Sequence, residues 1–272
     1  MVQTRSLDTI PWSVLTEVFN LAFSDYAVVM RLDEAALKSH LAAVSYSGED
    51  SIGLFDGDTL VGFLFIGRRD ERAYDAGTAI IPAYRGKGLA HTLIEAAIEH
   101  LSTRGVTSFT LEVLSENTRA KSLYEGHGFV PTRTLHCYTH SKEELASLLT
   151  TLALVPQNRP FVCENPFVPT WQNSATSINI GSYTKMAIFK GALQIGNLAF
   201  NSATGSIAQI VLYGAARSQE YFAQAIIGVA KHNEANEVRM VNVDAKDALL
   251  LGALSELGFE EFAAQEEMVR TL

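Results

Sequence analysis

Apolar residues recur at helical spacing over 13–23, where Val14, Leu15, Val18, Phe19 and Leu21 fall on one side, and again over 32–44. Ser24, Asp25 and Tyr26 interrupt the two runs and predict a loop. Short apolar stretches at 51–55 and 60–66 predict strands joined at Asp56-Gly57-Asp58, a pattern that favours a hairpin. A third strand is predicted over 74–81, closed by Pro82, which has no N–H to give to a ladder. Positions 89–101 predict an amphipathic helix with Gly105 near its C-terminal stop. A strand over 108–114, a helix over 118–125 and a strand over 129–138 follow. The order requires a mixed sheet with helices packed on it, an α+β fold.

Beyond this point a helix is predicted over 141–154. Residues 155–173 then hold four of the seven prolines (Pro156, Pro160, Pro166 and Pro169) and predict a connector. The pattern restarts afterwards. Residues 186–198 echo 52–64, a helix is predicted over 219–232, and Gly258-Phe259 follows a helix over 249–257 as Gly128-Phe129 follows the earlier one. Setting Arg217 on Arg85 places His232 on His100 without a gap, which reads as a diverged duplication. The expected division is a first domain over 1–140, a connecting helix and proline-rich segment over 141–174, and a second domain over 175–272.

Composition narrows the functional classes. The 272 residues are 47% hydrophobic and 19% charged, enough to bury one large core or two moderate ones. A formal net charge of −9 argues against nucleic acid or an anionic membrane as partner and is compatible with a cationic amine. No stretch reaches the roughly eighteen apolar residues of a membrane span, and the first twelve residues do not read as a signal peptide, so the expected location is cytoplasmic. Cys137 and Cys163 form neither a disulfide framework nor a zinc cluster, and His127, His136 and His140 lack metal spacing; no metal is expected.

The sharpest candidate chemistry is Ile80-Ile-Pro-Ala-Tyr-Arg-Gly-Lys-Gly-Leu-Ala90, a strand, a turn and a helix start. Gly86 and Gly88 carry no side chain where a backbone must approach a bulky ligand. The amides of Arg85 to Ala90 would sit at or before a helix N-terminus without intrahelical partners, and such a turn suits a diphosphate, with Arg85 and Lys87 adding positive charge. A tight connection alone would produce the same pattern. It is not a P-loop, lacking the Gly-Lys-Ser/Thr spacing.

A second motif follows, with Asn117, Ala120, Leu123, Tyr124, Gly128 and Phe129. With Arg85, Gly88 and Ala90, it makes the chain resemble the GCN5-related N-acetyltransferase (GNAT) superfamily, over about residues 1 to 140 and in pattern only beyond 175. The resemblance implies an acyl-CoA N-acyltransferase fold in which two neighbouring strands splay. Acetyl-CoA would serve as co-substrate: Ala79, Ile80 and Ile81 would pair with its pantetheine arm, Arg85 to His91 would hold its diphosphate, and Asn117 would contact it from the other side. The implied reaction is direct attack by the amine of a small molecule or peptide. Tyr124 is expected to protonate the departing thiolate. Asp75 is the first candidate for the base, with Glu112, Asp25 and water as competitors. Asp25, Tyr26 and Glu112 are the candidate acceptor-binding residues.

In the second half, Arg217-Ser-Gln-Glu-Tyr-Phe222 stands where the glycine turn should be, and Leu254 falls on Tyr124. A degenerate copy is expected, one that buttresses the first domain, shapes the acceptor cleft or mediates homodimerisation. The competing class is a non-catalytic acyl-CoA-binding regulatory protein.

Overall fold

The structure is a computed structural model that describes residues 2–25 and 31–272. Its elements are β1 (Val2–Ser6), α1 (Trp12–Ala22), α2 (Glu34–Ala43), β2 (Ile52–Asp56), β3 (Thr59–Arg69), β4 (Arg72–Ile80), α3 (Leu89–Thr103), β5 (Ser108–Leu114), α4 (Thr118–Gly126) and β6 (Val130–Ser141). Then come α5 (Lys142–Ser147), β7 (Leu152–Pro156), α6 (Ala175–Ile180), β8 (Thr184–Lys190), β9 (Leu193–Asn201), β10 (Ser206–Leu212), α7 (Gln219–His232), β11 (Glu237–Asp244), α8 (Ala248–Glu256) and β12 (Glu260–Thr271).

Two compact units emerge, and their boundaries depart from those expected at 140 and 174. Unit 1 comprises residues 1–113, 117–132 and 267–272; unit 2 comprises 114–116 and 133–266. Backbone pairing causes the difference. The last residues of β12 join unit 1, where the Leu272 amide donates to Thr107 O at 3.0 Å, while β6 from Arg133 onward pairs with β11 in unit 2.

In unit 1 the strand order is β1-β2-β3-β4-β5 and then the end of β12. The hairpin at Asp56-Gly57-Asp58 forms, with Asp56 opposite Thr59. One sheet face is covered by α3, whose Leu93, Ile94, Ala97 and Leu101 pack against Leu64, Ile66, Ala73, Phe109 and Leu111. The other face carries aromatic side chains: Phe63 stacks on Phe65 at 4.2 Å and on Phe19 of α1 at 6.0 Å.

Unit 2 repeats the plan, with the remainder of β12 followed by β6-β11-β10-β9-β8-β7. Its core gathers Phe222, Ile226 and Val229 of α7 with Leu198, Phe200, Ile210 and Met240. The helix expected over 141–154 stops at Ser147, and β7 replaces its second half. Leu152 and Leu154 are buried with Ala153 exposed between them, the period of a strand, and the segment pairs with β8. Strand β1 went unpredicted because its only apolar residue is Val2. Backbone bonds to β2 hold it.

Candidate active site

Strands β4 and β5 run parallel and pair only through Arg72–Ser108, Ala73–Phe109 and Tyr74–Thr110. Beyond Tyr74 they part, while β4 continues against β3 as far as Ile80. The edge of β4 over Thr78, Ala79 and Ile80 therefore faces a gap. These residues line a cleft of about 550 Å3 together with Arg85, Gly86, Gly88, Leu89, Ala90, His91, Asn117 and Tyr124. Among the candidate donor-binding residues, Ile81 and Lys87 do not line it. Ala22, Thr78, Arg119 and Ser122 do, and sequence reasoning missed them. Arg119 and Ser122 sit at unspecified positions inside the Asn117–Tyr124 motif, so position in the motif was the available signal.

The turn is built by Pro82–Tyr84, one turn of 3-10 helix, followed by Gly86 and Gly88, both at φ 75°. Gly88 is the N-cap of α3 in the left-handed region, which only glycine enters without strain. A Cβ built at either glycine meets nothing within 4 Å, so the space above both is open. The amides of Leu89 and Ala90 open the helix and have no intrahelical carbonyl to bind.

The cations of the turn are engaged elsewhere. Arg85 donates from Nε to Ile80 O at 2.9 Å, from Nη1 to Asp25 Oδ2 at 2.6 Å and from Nη2 to Ala22 O at 2.5 Å. Lys87 donates to Ala83 O at 3.1 Å and lies over the Tyr84 ring. Arg85 thus braces the turn while lining the cleft, and Asp25 is ion-paired to it. That pair, through its hydrogen bond to Arg85, holds the Asp25 carboxyl below the usual range. Tyr26 lies outside the described residues.

The two remaining carboxylates fall on opposite sheet faces. Cross-strand partners share a face. Asp75 is opposite Ile66, a member of the α3-side core, and Tyr74 is opposite Gly67. Asp75 is buried and accepts from the Gly77 amide at 2.9 Å, Thr78 Oγ1 at 2.7 Å and Tyr124 Oη at 3.1 Å. Burial pushes its carboxyl above the ordinary carboxylate range, against those three donors. Glu112, on β5, accepts from the buried Tyr74 hydroxyl on the α1 face. Tyr74 was also missed, although alternation about Asp75 would have placed it there. His91, in the first turn of α3, lies 3.0 Å from His127 through ring nitrogens. Among the described residues no group of three metal-ligating side chains exists, and no helix is long and apolar enough to cross a membrane.

A sheet parted between two parallel strands, with a glycine turn leading into the helix that joins them, defines the acyl-CoA N-acyltransferase fold. Residues 13–129, less than half of the chain, match the acetyltransferase (GNAT) family. Its full length superposes on a tandem GNAT protein from the clavulanic acid biosynthesis pathway, covering 100% of this chain and 98% of that one with a TM-score of 0.70 at 11% identity. The fold is thus the tandem form. Among curated relatives, a mycothiol acetyltransferase of Brachybacterium faecium is 33% identical over 113 residues, 40% of this chain and 34% of that protein. N-alpha-acetyltransferase 30 of Schizosaccharomyces pombe is 37% identical over 67 residues, 25% of this chain and 45% of that protein. The chain therefore spans less than half of either relative.

Proposed function

We propose that unit 1 is an N-acetyltransferase that moves the acetyl group of acetyl-CoA to a primary amine. The observation that carries this reading is the meeting of an open strand edge, a glycine-bearing helix start and a phenol around one cleft. The cleft volume lies within the range of small-ligand sites. The donor supplies a thioester carbonyl that an amine can attack and a sulfur that can depart.

The chain's own residues do the rest. Ala79 and Ile80 offer strand-edge amides and carbonyls to an amide-bearing arm, as a neighbouring strand would. Gly86, Gly88 and the first amides of α3 accept a diphosphate, favoured by the positive end of the helix dipole. Arg119 lines the cleft as Arg85 does and adds a cation there, which Lys87 does not. Holding both reactants in one cleft provides much of the rate through proximity. Tyr124 donates the proton that the departing sulfur needs. Glu112 lies on the face that carries α1, bonded to Tyr74 and, like Asp75, outside the lining of the cleft. The relatives' names differ in acceptor, so the proposal stops at a cationic primary amine.

The test is release of free CoA by the purified chain against a panel of amines, with wild type and Tyr124→Phe compared. Turnover on at least one amine is expected, with Tyr124→Phe keeping donor affinity but losing about 10²-fold in kcat. Donor binding without turnover on any amine would mean a binding protein instead.

A further inference from the structure

We infer that Asp75 is a positioning residue that acts through Tyr124, holding its hydroxyl and returning the proton it gives away, rather than the base that meets the acceptor. The inference rests on the transferase reading above and assigns Asp75 a place within it.

Three observations carry it. Asp75 does not line the cleft, whereas Tyr124 does. The Asp75 carboxyl is buried and its Oδ2 receives the Tyr124 hydroxyl at 3.1 Å. It is also fixed by Gly77 N on Oδ1 and by Thr78 Oγ1 on Oδ2. The local fold explains the placement. Between the pairs Phe65–Gly77 and Ile66–Asp75, β4 carries one extra residue, Ala76, and this bulge lets Gly77 and Thr78 fold back over Asp75. Asp75 points to the α3 and α4 side of the sheet.

The proton balance follows. Tyr124 gives its phenol proton to the sulfur, which departs with the carbon–sulfur bonding pair, while the amine lone pair forms the carbon–nitrogen bond. In its acid form Asp75 donates to the Tyr124 oxygen, which leaves the phenol proton free for the sulfur, and it then returns a proton to the phenolate. An ammonium that becomes a secondary amide loses two protons: one recharges Asp75 by way of solvent, and the other stays in solvent. A carboxyl raised by burial suits this duty, because it retains a proton where an exposed aspartate would not.

The test is a double-mutant cycle of Asp75→Asn and Tyr124→Phe, with the pH profile of kcat measured for each. Asp75→Asn keeps the acceptor oxygen and the shape but cannot return a proton. Its expected effect is a fall in kcat of about 10²-fold in wild type, with KM for the amine little changed, and almost none in the Tyr124→Phe background. An equal fall in both backgrounds would make Asp75 independent of the phenol and overturn the inference. A second readout needs no donor: the Asp75 carboxyl, followed by carbon NMR in the free protein, should titrate above ordinary aspartate and move higher still in Tyr124→Phe, because a donor to the carboxylate is lost. Superimposable titrations would also overturn it. Absence of turnover in wild type would instead fail the transferase reading and leave the titration to judge this contact.

Discussion

Arg217 grips Asp247 in unit 2: its Nη2 lies 2.8 Å from both carboxylate oxygens, with the two side chains only 19% and 5% exposed. Asp247 is the N-cap of α8 at φ −81°, ψ 73°, accepting from the Leu250 amide; Asn117 is the N-cap of α4 at φ −81°, ψ 68°, accepting from the Ala120 amide. Arg217 and Arg85 likewise each close a 3-10 turn. In unit 1 the equivalent arginine turns toward Asp25, and the space between turn and cap stays open. In unit 2 the arginine crosses that space, and Phe167 and Phe222 lie 5.4 Å from its guanidinium carbon. Calorimetry should accordingly find one acetyl-CoA per chain. A second equivalent site would refute this assignment. Arg217→Ala, which strands a buried carboxylate, should lower unfolding free energy by about 3–5 kcal/mol, read from chemical denaturation.

Gly88→Ala and Gly105→Ala form a matched pair. Both glycines sit near φ 75° (Gly105 at 73°), and a Cβ at either meets nothing within 4 Å. Each substitution should cost roughly 1–2 kcal/mol of stability through left-handed strain. Only Gly88 lines the cleft, so Gly88→Ala should weaken acetyl-CoA binding while Gly105→Ala leaves it unchanged. Equal affinities in a titration would mean that the backbone of the turn does not approach the donor.

Much of this site was legible because its spacing is local. The glycines, Asn117 and Tyr124 sit in two short motifs, and helix-start geometry requires small residues at fixed offsets. Which way Arg85 would point was not legible, since Ala22 O and Asp25 lie some sixty positions away in sequence and a cation reads the same whether it faces a phosphate or a carbonyl. The partnership of Asp75 with Tyr124 was hidden for the same reason: a bulge at Ala76 sets the carboxyl's direction, and hydropathy carries no trace of it. The helix expected past Ser147 failed because Leu145, Leu148, Leu149 and Leu152 keep a helical spacing, while the strand period of Leu152 and Leu154 is decided only by pairing with β8.

Arg85→Lys separates charge from shape. The guanidinium reaches three oxygens, those of Ile80, Asp25 and Ala22, a fork that an ammonium cannot reproduce. Loss of about one such bond should loosen the turn and weaken acetyl-CoA binding by roughly tenfold although the charge remains. Undiminished affinity in Arg85→Lys would mean that the residue serves by charge alone. The Asp25 arm adds a pH dependence. With its carboxyl held below the usual range, the contact persists above ordinary aspartate titration and is lost as pH falls through the lowered value. Asp25→Asn should remove that acid limb from the pH dependence of donor binding.

Asp75 should leave a signature of opposite sign in stability. Its folded-state carboxyl titrates above the ordinary range because burial penalises the charge, so between the unfolded and folded values the native state binds more protons than the unfolded chain. Stability contributed by this group is complete below the ordinary aspartate range, falls as pH rises through the raised value, and is level above it. Asp75→Asn removes the titration, so the stability difference between wild type and variant, measured by urea denaturation across pH, should favour wild type most in acid and shrink toward neutrality. Thr78→Ala takes away a donor to the carboxylate and should extend the falling limb to higher pH. A difference that does not vary with pH would place Asp75 at an ordinary value, and the buried acid would then have no proton to hold for Tyr124.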